Sequence, residues 1–268
     1  MPASASARLS SSVILVRDAP GGLEVFLVRR PANVSAFADV YVFPGGTVRD
    51  DDFTGKPNAG AFSAEDALAA LSQRGGIPPA NPGQALALWR AAIRELFEEA
   101  GVLIARDPTG RPFRMTDADA PRFAEHRTKL QSRELSLAAV LNRETLQSDD
   151  RKLCYFSHWI TPAHLTHRFD TRFFVAKLPE GQTALHCQIE TTEGRWISPG
   201  QALALADAGQ FGIVFPTRKH LERLNRRSSV DDLLDFAARK PIQTVQPVLR
   251  PIDGDERITL NGEVGECW

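Results

Sequence analysis

The chain is short of cysteine, of long apolar runs and of net charge, and each shortage excludes a class of protein. Three cysteines in 268 residues, Cys154, Cys187 and Cys267, are widely spaced, which excludes a disulfide framework and a thiolate metal cage. They suit a reducing cytoplasm, with Cys154 and Cys187 expected as small core residues in apolar strands. No apolar run approaches the ~20 residues of a membrane span. Residues 1–12 are rich in Ser and Ala with one Arg, lack the apolar core of a signal peptide, and read as a tail, its disordered part set at 1–10. A net charge of −1 provides no broad attraction for nucleic acid. The basic residues Arg218, Lys219, Arg223, Arg226 and Arg227 read as a solvated helix face. The histidines at 126, 158, 164, 167 and 186 show no metal spacing and read as structural.

What the chain does have is a concentration of acid. Arg94-Glu95-Leu96-Phe97-Glu98-Glu99-Ala100-Gly101-Val102 places three carboxylates within five residues of a predicted helix. Residues three and four apart share a helix face, so Glu95 points the same way as Glu98 and Glu99. Trp89, Ile93, Leu96 and Ala100 recur at the spacing of a buried apolar stripe on another sector. Three like charges on one face call for a counter-charge, and oxygen ligands suit a hard divalent cation. The competing reading is a solvated acidic face. Arg94, four before Glu98, is placed to hold its carboxylate, and Gly101 is a good helix stop.

The nine-residue string resembles the second half of the Nudix box, matching every specified position. The Gly that should stand fourteen residues before Arg94 is instead Ala80. Phe43-Pro44-Gly45-Gly46 further upstream resembles the opening of the box, and Asp52, the sixth residue after Gly46, stands where the family has Glu. The box thus reads as split, a loop from Gly46 to Asp52 and a helix from Leu88 to Val102, with 48 positions in place of 14 and an insertion of 34 residues. Such a split is similar to the branch of the superfamily that includes the peroxisomal coenzyme A diphosphatases. Trp159-Ile160-Thr161-Pro162 and Arg168-Phe169-Asp170-Thr171-Arg172-Phe173-Phe174 resemble a signature of the same branch. Residues 28–43 do not clearly carry the longer coenzyme A motif of other relatives.

The resemblance implies an α/β (α+β) fold, the Nudix α/β/α sandwich with a mixed sheet, with a helical insertion and extra C-terminal elements. It implies a hydrolase of nucleoside diphosphates linked to a moiety X, with Mg²⁺ or Mn²⁺ held by Glu95, Glu98, Glu99 and the Gly46 carbonyl. Coenzyme A or acyl-CoA is the first substrate choice. A nucleotide sugar, ADP-ribose, a dinucleotide, or a non-catalytic nucleotide-binding role are the alternatives. Arg94 is carried over as an orienting residue of the catalytic set, and Asp52 as a structural acid that the insertion threatens to displace. Glu193 is the candidate general base outside the box, competing with a role as an exposed acid at a strand start. Arg29, Arg30, Arg168 and Arg172 are candidates for phosphate contacts or for structural ion pairs, since Arg forks match phosphate geometry.

Local patterns fill in the rest. Ser12–Arg17 and Glu24–Arg29 flank a Gly-rich turn and predict a hairpin, and Val40–Phe43 predicts another strand. Within the insertion, 53–86, Ser63 to Asp66 predicts a helix start, and Pro78, Pro79 and Pro82 a stiff connection. The insertion has two roles open to it, a roof over the site or a homodimer contact. Helices are predicted at 116–134, Leu135–Leu146, Pro199–Asp207 and Thr217–Arg226, and strands at Leu153–Ile160, Thr171–Leu178 and Arg195–Ile197. One domain, 11–239, is followed by an extended arm, 240–268, with Pro241, Pro247 and Pro251. No nucleic-acid or membrane partner is expected, and the final Glu266-Cys267-Trp268 does not match the peroxisomal Ser-Lys-Leu address, leaving the cytoplasm as the expected compartment.

Overall fold

A computed structural model describes residues 6–32, 38–54, 62–187, 191–252 and 255–260. In chain order its elements are β1 (Arg8–Ala19), β2 (Gly22–Arg29), β3 (Tyr41–Val42), β4 (Gly45–Thr47), a 3-10 turn (Asp50–Phe53), α1 (Ala64–Ser72), α2 (Pro82–Ala100), β5 (Ala105–Arg106), α3 (Ala120–Gln131), α4 (Leu137–Arg143), β6 (Gln147–Ser148), a second 3-10 turn (Asp150–Lys152), β7 (Cys154–Ile160), β8 (Phe169–Lys177), β9 (Glu193–Ile197), α5 (Pro199–Asp207), α6 (Phe215–Leu224), α7 (Val230–Arg239), β10 (Thr244–Val245), β11 (Val248–Ile252) and β12 (Asp255–Thr259). The architecture is the expected α/β sandwich around a mixed sheet.

Among the described residues the sheet has eight strands, ordered β10-β7-β8-β1-β2-β3, with β4 also on β1 and β9 also on β2. β1 runs parallel to β8 and antiparallel to β2 and β4. Its Val13-Ile14-Leu15-Val16 run is apolar on both faces, as a central strand covered on both sides must be. Val13 and Leu15 face one core with α1, α2, α3 and α4, while Ile14 and Val16 face the other with α5, α6 and α7. Fully burying each such side chain is worth about 1.5–3 kcal/mol.

Several expectations need correction. β1 begins at Arg8, paired with Phe169, so residues 8–10, expected in the tail, are strand. Ser10, Ser11 and Ser12 are buried there because small residues are needed where β4 and α2 approach; the Ser11 hydroxyl donates to the Leu88 carbonyl (2.7 Å) and that of Ser12 to Pro44 (3.0 Å). Pro82 is not part of a stiff connection. It opens α2, where its missing N–H costs nothing, behind an Asn81 side chain that accepts from Gln84 N. Helix α7 was not foreseen. Arg223, expected on a solvated face, is buried over the Phe236 ring. Cys187 is buried in a loop and Cys154 half-buried in β7, while Cys267 lies outside the described residues. Within the segment expected as an arm, β10 adds to the sheet beside β7, with Thr244 opposite His158.

The core on the α6 side holds one titratable group with a measurable consequence. His220 is fully buried, with Nε2 bonded to the Ser157 hydroxyl (2.7 Å) and Nδ1 to the Pro216 carbonyl (2.6 Å). Burial pulls its pKa down to about 3; the Pro216 hydrogen bond opposes this, and the charges of Lys240 and Arg223 add to it. A folded value below the unfolded 6.5 means stability is complete above about pH 6.5 and is lost as pH falls toward 3. Lowering the pH from 7 to 5 is expected to cost about 2 kcal/mol through this group alone. Urea titrations at both pH values, with a His220→Gln variant showing a flatter dependence, check it.

Candidate active site

The two halves of the interrupted box meet in space. β4 sets Gly45 and Gly46 against Ser12 and Ser11 of β1, and the turn that follows carries Asp52. Arg94, in the middle of α2 and fully buried, grips Asp52 with a two-pronged fork, Nε to Oδ1 at 2.9 Å and Nη2 to Oδ2 at 2.8 Å. The same guanidinium donates to the Thr47 carbonyl (2.8 Å), to Glu95 (2.6 Å) and to Glu98 (3.2 Å). Asp52 is not displaced by the insertion; it is buried and serves as the loop's anchor on the helix. Burial works against the Arg94 charge, but the Asp52 hydrogen bond and the Glu95, Asp52 and Glu98 charges outweigh it and raise the pKa.

The three glutamates are buried, which overturns the reading of a solvated acidic face. Glu95 and Glu99 are each 5% exposed and Glu98 is 0%. Arg49 holds Glu98 with a second fork, at 2.7 and 2.9 Å. Burial first, and then the Glu95 carboxylate, push the Glu98 pKa up against the opposing charges of Arg94 and Arg49. Glu99 accepts from the Gly45 N–H at 2.9 Å. Gly46 touches Glu95 so closely that a Cβ there would stand 2.6 Å from the carboxyl carbon, and one at Gly45 would stand 2.7 Å from Ser12 Cα. At Gly45 the backbone of β1 leaves no room for a side chain, and at Gly46 the Glu95 carboxyl, held by Arg94, would have to move aside. The helix ends at Gly101, whose φ of 68° is the left-handed stop expected.

Among the described residues, no three His, Cys, Asp or Glu side chains stand converged as a ready metal cage. Glu98 is instead spanned by two arginines and Glu99 by a backbone N–H. The donor set still fits a hard cation: it is all oxygen and buried, and burial, then the neighbouring Glu95 charge, makes the Glu98 carboxylate resist ionising.

Beside Gly45, Gly46 and Thr47 opens a cavity of about 560 Å³, its far walls formed by the end of β7, the start of β8 and the start of α6. Of the arginines proposed for phosphate contact, Arg30 lines it, and its Nε is buried without a hydrogen-bond partner. Arg29 is paired with Asp39, Arg168 donates to the Thr161 carbonyl, and Arg172 is buried in a cluster with Asp170 and the Ile77 carbonyl; none of these three lines the cavity. Glu193 also stands outside it, where β2, β3 and β9 meet, accepting from the Tyr41 hydroxyl at 2.5 Å. Burial and then Glu193 raise the Tyr41 pKa to about 12. Arg49 was missed in the sequence. It lies 49 positions from Glu98, and no periodicity links residues across the insertion.

The described part of the insertion provides no residue to this cavity. α1 packs Ala67 and Leu71 into the core beside α2, behind a capping box in which Ser63 and Asp66 exchange hydrogen bonds as expected. The end of the insertion is clasped by the C-terminal segment. Ile242 N donates to the Arg74 carbonyl and Ile77 N to the Thr244 hydroxyl, both at 2.7 Å. The Arg74 guanidinium reaches the Ala237 and Tyr155 carbonyls. The roof reading is therefore not supported by the described residues, and no helix among them is long and apolar enough to cross a membrane.

Comparison with known proteins gives consistent matches. Residues 6–224 match the profile of the NUDT19 Nudix domain. The chain is 24% identical over 272 residues to the acyl-coenzyme A diphosphatase NUDT19 of Xenopus laevis, covering 90% of this chain and 70% of that protein. It is 26% identical over 280 residues to the protein of the same name from Gallus gallus, covering 88% and 72%. In fold it is similar to a NUDIX hydrolase from Alicyclobacillus acidocaldarius, with a TM-score of 0.69 at 23% identity over 87% of this chain and 97% of that one.

Proposed function

From the premise that the chain belongs to the Nudix hydrolases, in the family of the NUDT19 Nudix domain, we propose that it cleaves the diphosphate of coenzyme A or its acyl esters in a Mg²⁺- or Mn²⁺-dependent reaction. The observation that carries this reading is the Arg94–Asp52 fork, which closes the interrupted box around Glu95, Glu98 and Glu99. Those three carboxylates, with the Gly46 carbonyl, are the residues that would hold the cation. When bound, such a cation neutralises phosphate charge and lowers the pKa of an attacking water.

The chain's own residues do the positioning. Arg94 fixes the loop to the helix and aims Glu95 and Glu98. Arg49 steadies Glu98 from the opposite side. Gly45 orients Glu99 through its N–H. Arg30, with an unused buried donor on the cavity wall, is placed to receive a phosphate oxygen. Glu193, held by Tyr41, we assign a supporting role at the sheet edge in place of the proton-abstracting one.

A hydrolysis screen of coenzyme A, acyl-CoA, NADH, ADP-ribose and nucleotide sugars, with Mg²⁺ or Mn²⁺ and after chelation, tests the reading. Release of 3′,5′-ADP from coenzyme A or its esters, lost with EDTA and restored by the metal, is the expected result. AMP from ADP-ribose with coenzyme A untouched points to the other substrate class. Tight nucleotide binding without turnover under either metal points to a domain that only binds.

A further inference from the structure

We propose that Arg49 sets the affinity of the site for its cation, holding it below what the carboxylates alone would give. Arg49 and the cation draw on one carboxylate, Glu98, and the positive charge of the arginine counts against a second positive charge beside it. This rests on the reading of Glu95, Glu98 and Glu99 as the residues that would hold Mg²⁺ or Mn²⁺. Arg49 thereby differs in role from Arg94, which fixes the frame.

The position of Arg49 suits this role. It stands three residues beyond Gly46, and its backbone N–H donates to Asp52 Oδ2 at 2.8 Å, which ties it to the carboxylate that Arg94 grips. From there the side chain crosses to α2 and takes both oxygens of Glu98, Nη1 to Oε1 at 2.7 Å and Nη2 to Oε2 at 2.9 Å. Such a two-pronged, charge-assisted bond is one of the strong ones a carboxylate makes. The Glu98 side chain is 0% exposed and that of Arg49 is 16% exposed, so the arginine is the outer member of the pair and has room to yield. Arg94 has no such room. It is fully buried and spread over Asp52, Glu95, Glu98 and the Thr47 carbonyl.

Removing Arg49 has two opposed effects, and their sizes decide the sign. Loss of the fork frees Glu98 to turn, and a glutamate side chain that must be fixed again costs affinity by roughly tenfold or more. That cost is largely avoided here, because Glu98 is wholly buried and is still bonded to Arg94 at 3.2 Å. Loss of the charge works the other way. A unit charge across one carboxylate from a divalent cation alters its affinity by about tenfold even under the screening of bulk water, and by more in a buried site. The charge effect wins, and the cation is held more tightly without Arg49.

The test is a Mn²⁺ titration of the full chain without substrate, read from the EPR signal of free Mn²⁺, on the unaltered protein and on Arg49→Gln, Arg49→Lys and Glu99→Gln. Arg49→Gln is expected to lower the Kd by at least about tenfold. Arg49→Lys, which keeps the charge and loses the fork, is expected to stay within about threefold of the unaltered protein. Glu99→Gln should weaken binding, which identifies the titrated site. Thermal melts in EDTA show which variants fold without metal. If Arg49→Gln does not, it is prepared in Mn²⁺ and its Kd is read by competition with EGTA, with the same tightening expected. An Arg49→Gln Kd that is unchanged or higher, or an Arg49→Lys Kd lowered as far as that of Arg49→Gln, overturns this proposal and leaves the metal reading standing. No Mn²⁺ binding, or binding that Glu99→Gln does not weaken, overturns both.

Discussion

Glu99→Gln is expected to lower metal-dependent turnover by at least about three orders of magnitude while barely changing the melting temperature. Gln keeps an oxygen to accept from the Gly45 N–H, so the 2.9 Å hydrogen bond that seats the side chain survives. What is lost is one negative charge from the set proposed to hold the cation. A bound metal supplies several kcal/mol of transition-state stabilisation, and each ~1.4 kcal/mol is a factor of ten in rate. The effect should fall on kcat, with weakened metal affinity visible as a higher Mg²⁺ requirement. Steady-state kinetics across a Mg²⁺ titration, beside a thermal melt, provide both readings. Full activity in the variant at ordinary Mg²⁺ would remove Glu99 from the ligand set.

The second large effect is on stability. Arg94→Met removes a cation that contacts Asp52, Glu95 and Glu98 together, all of them almost completely buried. Removing one partner of a buried ion pair typically costs about 3–5 kcal/mol, because the other charge is left uncompensated. Among the described residues the Asp52 carboxylate then keeps a backbone hydrogen bond from Arg49 N, and Glu98 keeps Arg49 as a counter-charge. A loss of roughly 10 °C in melting temperature is expected. Arg94→Lys should rescue little, since an ammonium cannot reproduce the fork on Asp52. Pairing Arg94→Met with Asp52→Leu should recover part of the loss, and a double-mutant cycle measures the coupling. Strict additivity of the two single changes would mean that the fork contributes nothing to stability.

The sequence made the helix half of this site legible because its information is local. Glu95, Glu98 and Glu99 declare a shared face through spacing alone, and Gly101 declares the stop. What spacing does not convey is burial: a helix with apolar residues nearly all round, from Ala85 to Ala100, hides its acids as well as its leucines. Arg49 was illegible because its partner lies across the insertion. The cavity was illegible for a related reason, since its wall is assembled from β1, the β3–β4 loop, the β7–β8 connection, the start of α6 and Pro247. No one of those segments carries the pattern. The burial of Ser10 to Ser12 shows the converse, a composition that suggests a tail being used where small side chains must fit beneath a glycine loop.

The fork between Asp52 and Arg94 also bears on how chain length is tolerated. It pins the connection at both ends, just before Phe53 and within α2, so the residues between need only begin and end in the right places. Lengthening such a connection from 8 to 42 positions costs only about 1.5 kcal/mol of closure entropy. That is well below the about 3–5 kcal/mol at stake in breaking a buried ion pair. The interior of the box is thereby a permissive locus, where extra chain can be added without loosening the glutamates and then put to other use. In this protein that use is to grip the carboxy-terminal strand.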